Sequence, residues 1–98
     1  MKNANTKEFL ETIASQDAWL RFGDRGFFVN GCCTIKDESG AESVRIEMYE
    51  MKPDLQTWVR DVCSITKPTV REAMEEFTRI PLIDGKTFWE LENELEWV

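Results

Sequence analysis

Ninety-eight residues, 42% of them apolar, with four Trp and six Phe, suit one folded domain over residues 1–98 and leave no room for a second. A net charge of −7 works against binding a phosphate backbone and against anionic membrane surfaces. No apolar run approaches the ~20 residues of a membrane span, and MKNANTKEFLET lacks the apolar segment of a secretory signal, so the expected location is the cytoplasm.

Asn5-Thr6-Lys7-Glu8 sets a capping residue three positions before a glutamate. Phe9, Leu10, Ile13 and Ala14 follow at helical spacing, which predicts a first helix from about Thr6 to Ser15. Ala18 to Phe22 reads as a short strand, with Trp19 in an apolar, core-like context. Gly23-Asp24-Arg25-Gly26 is a turn by composition.

The clearest strand signal is FFVNGCCTIK. Phe27, Val29, Gly31, Cys33 and Ile35 alternate with Phe28, Asn30, Cys32, Thr34 and Lys36, which predicts an apolar face on the first set. Asp37-Glu38-Ser39-Gly40 turns the chain and lacks the ligand spacing of a calcium loop. SVRIEMYEM alternates again, with Val44, Ile46 and Met48 inward. Short polar turns between such runs predict antiparallel hairpins.

Residues 55–66 suit a helix by apolar spacing. Their β-branched residues and the Pro53-Asp54 turn favour a fourth strand over about 57–66, with Trp58 assigned to the core. Thr69-Val70-Arg71-Glu72 repeats the capping spacing. Val70, Ala73, Met74, Phe77 and Ile80 then line one face of a second helix that Pro81 stops. Leu82 and Ile83 form a brief buried link, and Asp84-Gly85-Lys86 turns.

The last twelve residues, TFWELENELEWV, satisfy two periods. In steps of two, Trp89, Leu91, Asn93, Leu95 and Trp97 oppose Glu90, Glu92, Glu94 and Glu96, as in a half-buried strand. In steps of three and four, Phe88, Leu91, Leu95 and Val98 make a helical stripe. Thr87-Phe88-Trp89-Glu90 is a third capping box, and it decides for a helix over 88–96. That helix would carry like-charge pairs, Glu90/Glu94 and Glu92/Glu96, four residues apart, each unfavourable by a few tenths of a kcal/mol. Local stability does not explain such a cluster, so a partner is the expected reason for it. Trp89 and Trp97 either pack the helix onto the sheet or stand exposed as aromatic anchors among carboxylates, the composition of a binding hot spot. One buried and one exposed is the third outcome. Glu72, Glu75 and Glu76 extend the negative field, offset in part by Arg71 and Arg79.

With no histidine, imidazole bases and Ser-His or Cys-His mechanisms are excluded. No CxxC, Walker or dinucleotide glycine pattern occurs. Cys32, Cys33 and Cys63 are an odd number, and adjacent strand residues point to opposite faces. They read as reduced thiols that fill core or strand positions. No catalytic residue, metal ligand or cofactor is expected.

The predicted order is α-β-β-β-β-α-α: an α+β fold in which an antiparallel three- to four-stranded meander is covered on one face by two to three helices. This small acidic plan, with PLIDGKTFWELENELEWV at its end and Asp84-Gly85-Lys86-Thr87 leading into the Trp/Glu segment, resembles the immunity proteins of bacterial contact-dependent and other polymorphic toxin systems. The resemblance implies an antidote that binds a cognate toxin domain, often a basic nuclease. On that reading Trp89, Glu90, Glu92, Glu94, Glu96 and Trp97 bind the partner, with Glu92 and Glu96 beside a tryptophan as the contacting subset. Two alternatives remain open. One is a phage-type inhibitor that mimics nucleic-acid charge, as anti-CRISPR or anti-restriction proteins do. The other is a small ligand-binding domain or enzyme with a pocket between sheet and helices.

Overall fold

A computed structural model describes all 98 residues. The chain runs α1 (Thr6–Ile13), β1 (Ala18–Phe22), β2 (Arg25–Lys36), β3 (Glu42–Met51), β4 (Trp58–Lys67), α2 (Val70–Arg79), β5 (Pro81–Ile83), β6 (Lys86–Thr87), α3 (Phe88–Leu91), a 3-10 turn (Glu92–Glu94) and β7 (Leu95–Trp97). The α+β plan is the expected one. β1 to β4 form an antiparallel meander, and β7 joins the free side of β1 to give the order β4-β3-β2-β1-β7.

Turn chemistry sets the hairpins. Phe22 pairs with Arg25 across Gly23-Asp24, and Gly23 at φ +63° takes the left-handed position at little steric cost. Asp84 and Gly85, both at positive φ, close the two-residue β5–β6 hairpin as an Asp-Gly pair is suited to do. The fourth strand expected over about 57–66 does form, as Trp58–Lys67.

Capping starts each helix. Asn5 accepts from the Glu8 N–H at 3.2 Å and Thr69 from the Glu72 N–H at 3.2 Å. Phe9 and Ile13 of α1 and Ala73 and Phe77 of α2 enter one cluster with Leu20, Val29, Ile46 and Met48. Both helices therefore lie on the same face of the sheet, and the other face has no helix on it.

Three expectations need correction. β2 carries a bulge between Asn30 and Cys33. The extra residue shifts the alternation, so Cys32 turns inward and Cys33 and Ile35 turn outward. The bulge lies where the chain leaving α1 crosses β2. A side chain at Gly31 would meet the Gln16 carbonyl oxygen at 1.9 Å, and the Gly31 N–H donates to Asp17 Oδ1 at 3.0 Å. Trp19 and Trp58 are not core residues. They are 40% and 58% exposed on the helix-free face, because their registers place them with Phe28 and Met51 rather than with Leu20 and Met48.

The third correction concerns the C-terminus. Thr87 and Glu90 complete a full capping box, and the helix starts at Phe88 as its cap predicts. It ends at Leu91, passes through the 3-10 turn, and becomes a strand at Leu95. No basic residue occupies its last turn, so nothing offsets the helix dipole there. The free edge of β1 instead offers backbone partners, pairing Leu20 with Trp97 and Phe22 with Leu95. Lys2 N–H donates to the Leu95 carbonyl at 2.9 Å, and Trp97 N–H donates to Asn3 Oδ1 at 2.9 Å. Both sequence periods were real, the helical one over Phe88–Leu91 and the alternating one over Leu95–Trp97. The like-charge pairs four apart do not stack, because the segment is not one helix.

Candidate partner-binding face

The helical layer holds most of the net negative charge. α1, α2, α3 and the 3-10 turn carry eight glutamates against Lys7, Arg71 and Arg79, which leaves −5 of the chain's −7. Within this layer α1 and α2 leave an open groove of about 670 Å³. Leu10, Ala14 and Met74 form its apolar floor, and Trp89 stands at its α3 end. Leu10 and Met74 belong to the helical stripes assigned to the core, but they are only half-buried.

Trp89 is 54% exposed between two fully buried residues of the same helix, Phe88 and Leu91. Its ring rests edge-on against Phe88 at 5.2 Å. The capping box therefore orients this indole: fixing Phe88 and Leu91 inward leaves Trp89 facing out. Glu11, Glu75 and Glu92 line the groove from α1, α2 and the 3-10 turn. Arg71 pairs with Glu75 at 3.1 Å. Glu92 Oε2 accepts from the Thr6 hydroxyl at 2.5 Å, which joins the C-terminal segment to the start of α1.

The six residues singled out by sequence do not share one face. Trp89, Glu90, Glu92 and Glu94 belong to the helical layer. Glu90 serves the cap, where the Thr87 N–H donates to its Oε1 at 3.0 Å and holds its carboxyl below the usual range. Trp97 is half-buried on the inner side of β7, edge-on to Phe9 at 5.4 Å. Glu96 pairs in register with Arg21 and points to the opposite side of the sheet. Glu92 and Glu96 thus cannot contact one partner surface beside a single tryptophan. One tryptophan of the pair is exposed and the other packed.

Pattern reading missed the groove itself. Its signal was present as the edges of the two helical stripes, Leu10 and Met74. Periodicity identifies an apolar stripe but not the neighbour that leaves its edge uncovered.

The helix-free face carries a second feature. Trp19, Phe28 and Tyr49 make a row across β1, β2 and β3, with ring centroids 5.0 and 6.2 Å apart. Trp58 Nε1 donates to Asp61 Oδ1 at 3.2 Å on β4. The β3–β4 loop folds back over this face: Leu55 lies where a Gly26 side chain would go, and the Pro53 carbonyl accepts from Arg21 at 3.1 Å.

The thiols differ by environment. Cys32 is buried, Cys33 is exposed and Cys63 is half-buried. Burial pushes the Cys63 thiol up to about 11. No helix is long and apolar enough to cross a membrane.

Fold and face together define a small α+β protein with an acidic helical layer built around an aromatic-ended groove. No family model matches this chain, and no curated protein or solved structure matches it either.

Proposed function

We propose that this chain is a cytoplasmic, non-catalytic immunity-type protein that binds and neutralises a basic toxin domain, a nuclease in the simplest case. The carrying observation is the concentration of negative charge on the helical layer around an exposed Trp89 and an apolar floor. A nuclease holds phosphates with a positive surface. An acidic face steers association with that surface, and a desolvated aromatic anchor slows dissociation.

The apolar groove favours this reading over charge mimicry of nucleic acid, which needs a track of carboxylates and no greasy centre. Conventional histidine-based or cofactor-based catalysis finds no support in the residues lining the groove.

Affinity capture from the native host, with wild type and a Trp89→Ala variant side by side, tests the reading. The expected result is a basic protein enriched by wild type and depleted with the variant. Expressing that protein alone should then arrest growth, and co-expression of this chain should restore it. A captured partner that is acidic, or one whose toxicity co-expression leaves unchanged, would overturn the proposal.

A further inference from the structure

We infer that the groove between α1 and α2 is a seat for an amphipathic helix with lysine or arginine on its flanks. This rests on the reading of the helical layer as the partner-binding face. Backbone chemistry selects a helix. The walls are helices whose backbone groups are already paired, so an extended segment would find no sheet edge to join. A guest that enters an apolar groove must satisfy its own backbone hydrogen bonds, and a helix does so.

Size agrees. The eight residues of α1 and the ten of α2 correspond to walls about 12 and 15 Å long at ~1.5 Å per residue. That admits two to three turns, enough for apolar anchors at i, i+3 or i+4, and i+7. Leu10, Ala14 and Met74 offer the apolar floor, and Trp89 caps one end.

Charge sets the guest's flanks. Glu11, Glu75 and Glu92 border the floor from three elements. Lys7 and Arg71 line the same groove, and Arg71 is paired with Glu75 at 3.1 Å, so the rim carries a net −1. Lysine or arginine on the guest would meet Glu11 on the α1 wall and Glu92 at the α3 end, and would compete with Arg71 for Glu75 on the α2 wall. A guest with glutamate flanks would meet like charge instead.

The test uses the full chain and three synthetic 18-residue peptides. One is a leucine/lysine amphipathic helix, the second a scramble of the same composition without an apolar face, and the third a leucine/glutamate amphipathic helix. Affinity is measured by titration calorimetry and the site by amide chemical-shift changes. The leucine/lysine helix should bind at least tenfold more tightly than the scramble, with shifts confined to α1, α2 and α3, and the glutamate peptide should not bind. Trp89→Ala and Met74→Lys should each weaken binding tenfold or more, while Trp58→Ala on the far face should leave it unchanged. Both Trp89 and Met74 are solvent-accessible, so a folded variant is expected in each case and is verified by its amide spectrum. Equal binding of helix and scramble would overturn the groove assignment and leave the basic-partner reading standing. Shifts centred on Trp19, Phe28 and Tyr49 would also overturn it. Failure of both lysine peptides to bind at low salt would bring down both.

Discussion

Glu50 shows how one carboxylate ties three segments together. Its side chain is 14% exposed. It accepts a two-point contact from Arg25 at 3.0 and 3.1 Å and a third bond from Arg60 at 2.9 Å, while Arg25 also reaches Asp84 in the β5–β6 turn at 2.9 Å. The Arg25 hydrogen bonds, foremost among the causes, hold the Glu50 carboxyl below its usual range. A depressed folded value means that the stabilisation is complete above the unfolded carboxylate pKa of about 4.3 and is lost as pH falls through the folded value. Glu50→Gln should therefore cost about 2 kcal/mol at pH 7, and the gap from wild type should close towards the acid end of a urea-unfolding series. Thiol reactivity is graded by the same local environments. In the native protein a thiol reagent should modify Cys33 promptly and Cys63 and Cys32 slowly, and all three should react on unfolding. Equal rates in the native state would contradict the burial described for Cys32 and Cys63.

At the scale of elements, the C-terminal segment is where helix and strand share one stretch of chain. The cap at Thr87 starts the helix, and Thr87→Ala should cost about 1 kcal/mol in chemical denaturation. Leu91 is fully buried, so Leu91→Ala should cost about 2–5 kcal/mol. If Leu91→Ala proved no worse than Thr87→Ala, α3 would be a surface turn rather than part of the core. β2 has a comparable constraint. Its bulge lets the α1–β1 connection pass directly over Gly31, and the atom that a new Cβ would strike is backbone, which cannot swing aside. Gly31→Ala should therefore destabilise by at least about 1–3 kcal/mol, the usual range for overpacking, as read from the urea midpoint.

Across the whole molecule, charge is sorted by layer. The helical side carries −5 of the −7, and the helix-free side carries the aromatic row. Replacing Glu11, Glu75 and Glu94 together with glutamine should leave the fold intact, because all three are exposed and none caps a helix, whereas Glu92 is kept because it ends α3 and accepts from Thr6. The far-ultraviolet spectrum and unfolding midpoint should stay close to wild type. Once the partner is in hand, the same variant should associate about tenfold or more slowly at low salt and show a flatter dependence on ionic strength. Matching rates and matching slopes would reduce the acidic layer to a solvated surface.

The residues by themselves determined the elements whose signals are local. Capping spacings at Asn5, Thr69 and Thr87, the Gly23-Asp24 and Asp84-Gly85 turns, and period-two runs in β2 and β3 depend on atoms a few positions apart, so they read directly from the chain. They were enough to settle the α+β plan and the meander. What only the tertiary structure decided depended on neighbours distant in sequence. The edge of β1 and the Lys2–Asn3 segment converted Leu95–Trp97 from helix to strand. The chain crossing at Gly31 imposed the bulge that exchanged Cys32 and Cys33. Strand registers sent Trp19 and Trp58 to the helix-free face. The candidate site divides in the same way: Trp89 and its adjacent glutamates stood out in sequence, whereas Leu10 and Met74 became a groove only because α1 and α2 settled on one sheet face without closing over each other. Periodicity records which side chains avoid water; it holds no information on which neighbour will cover them.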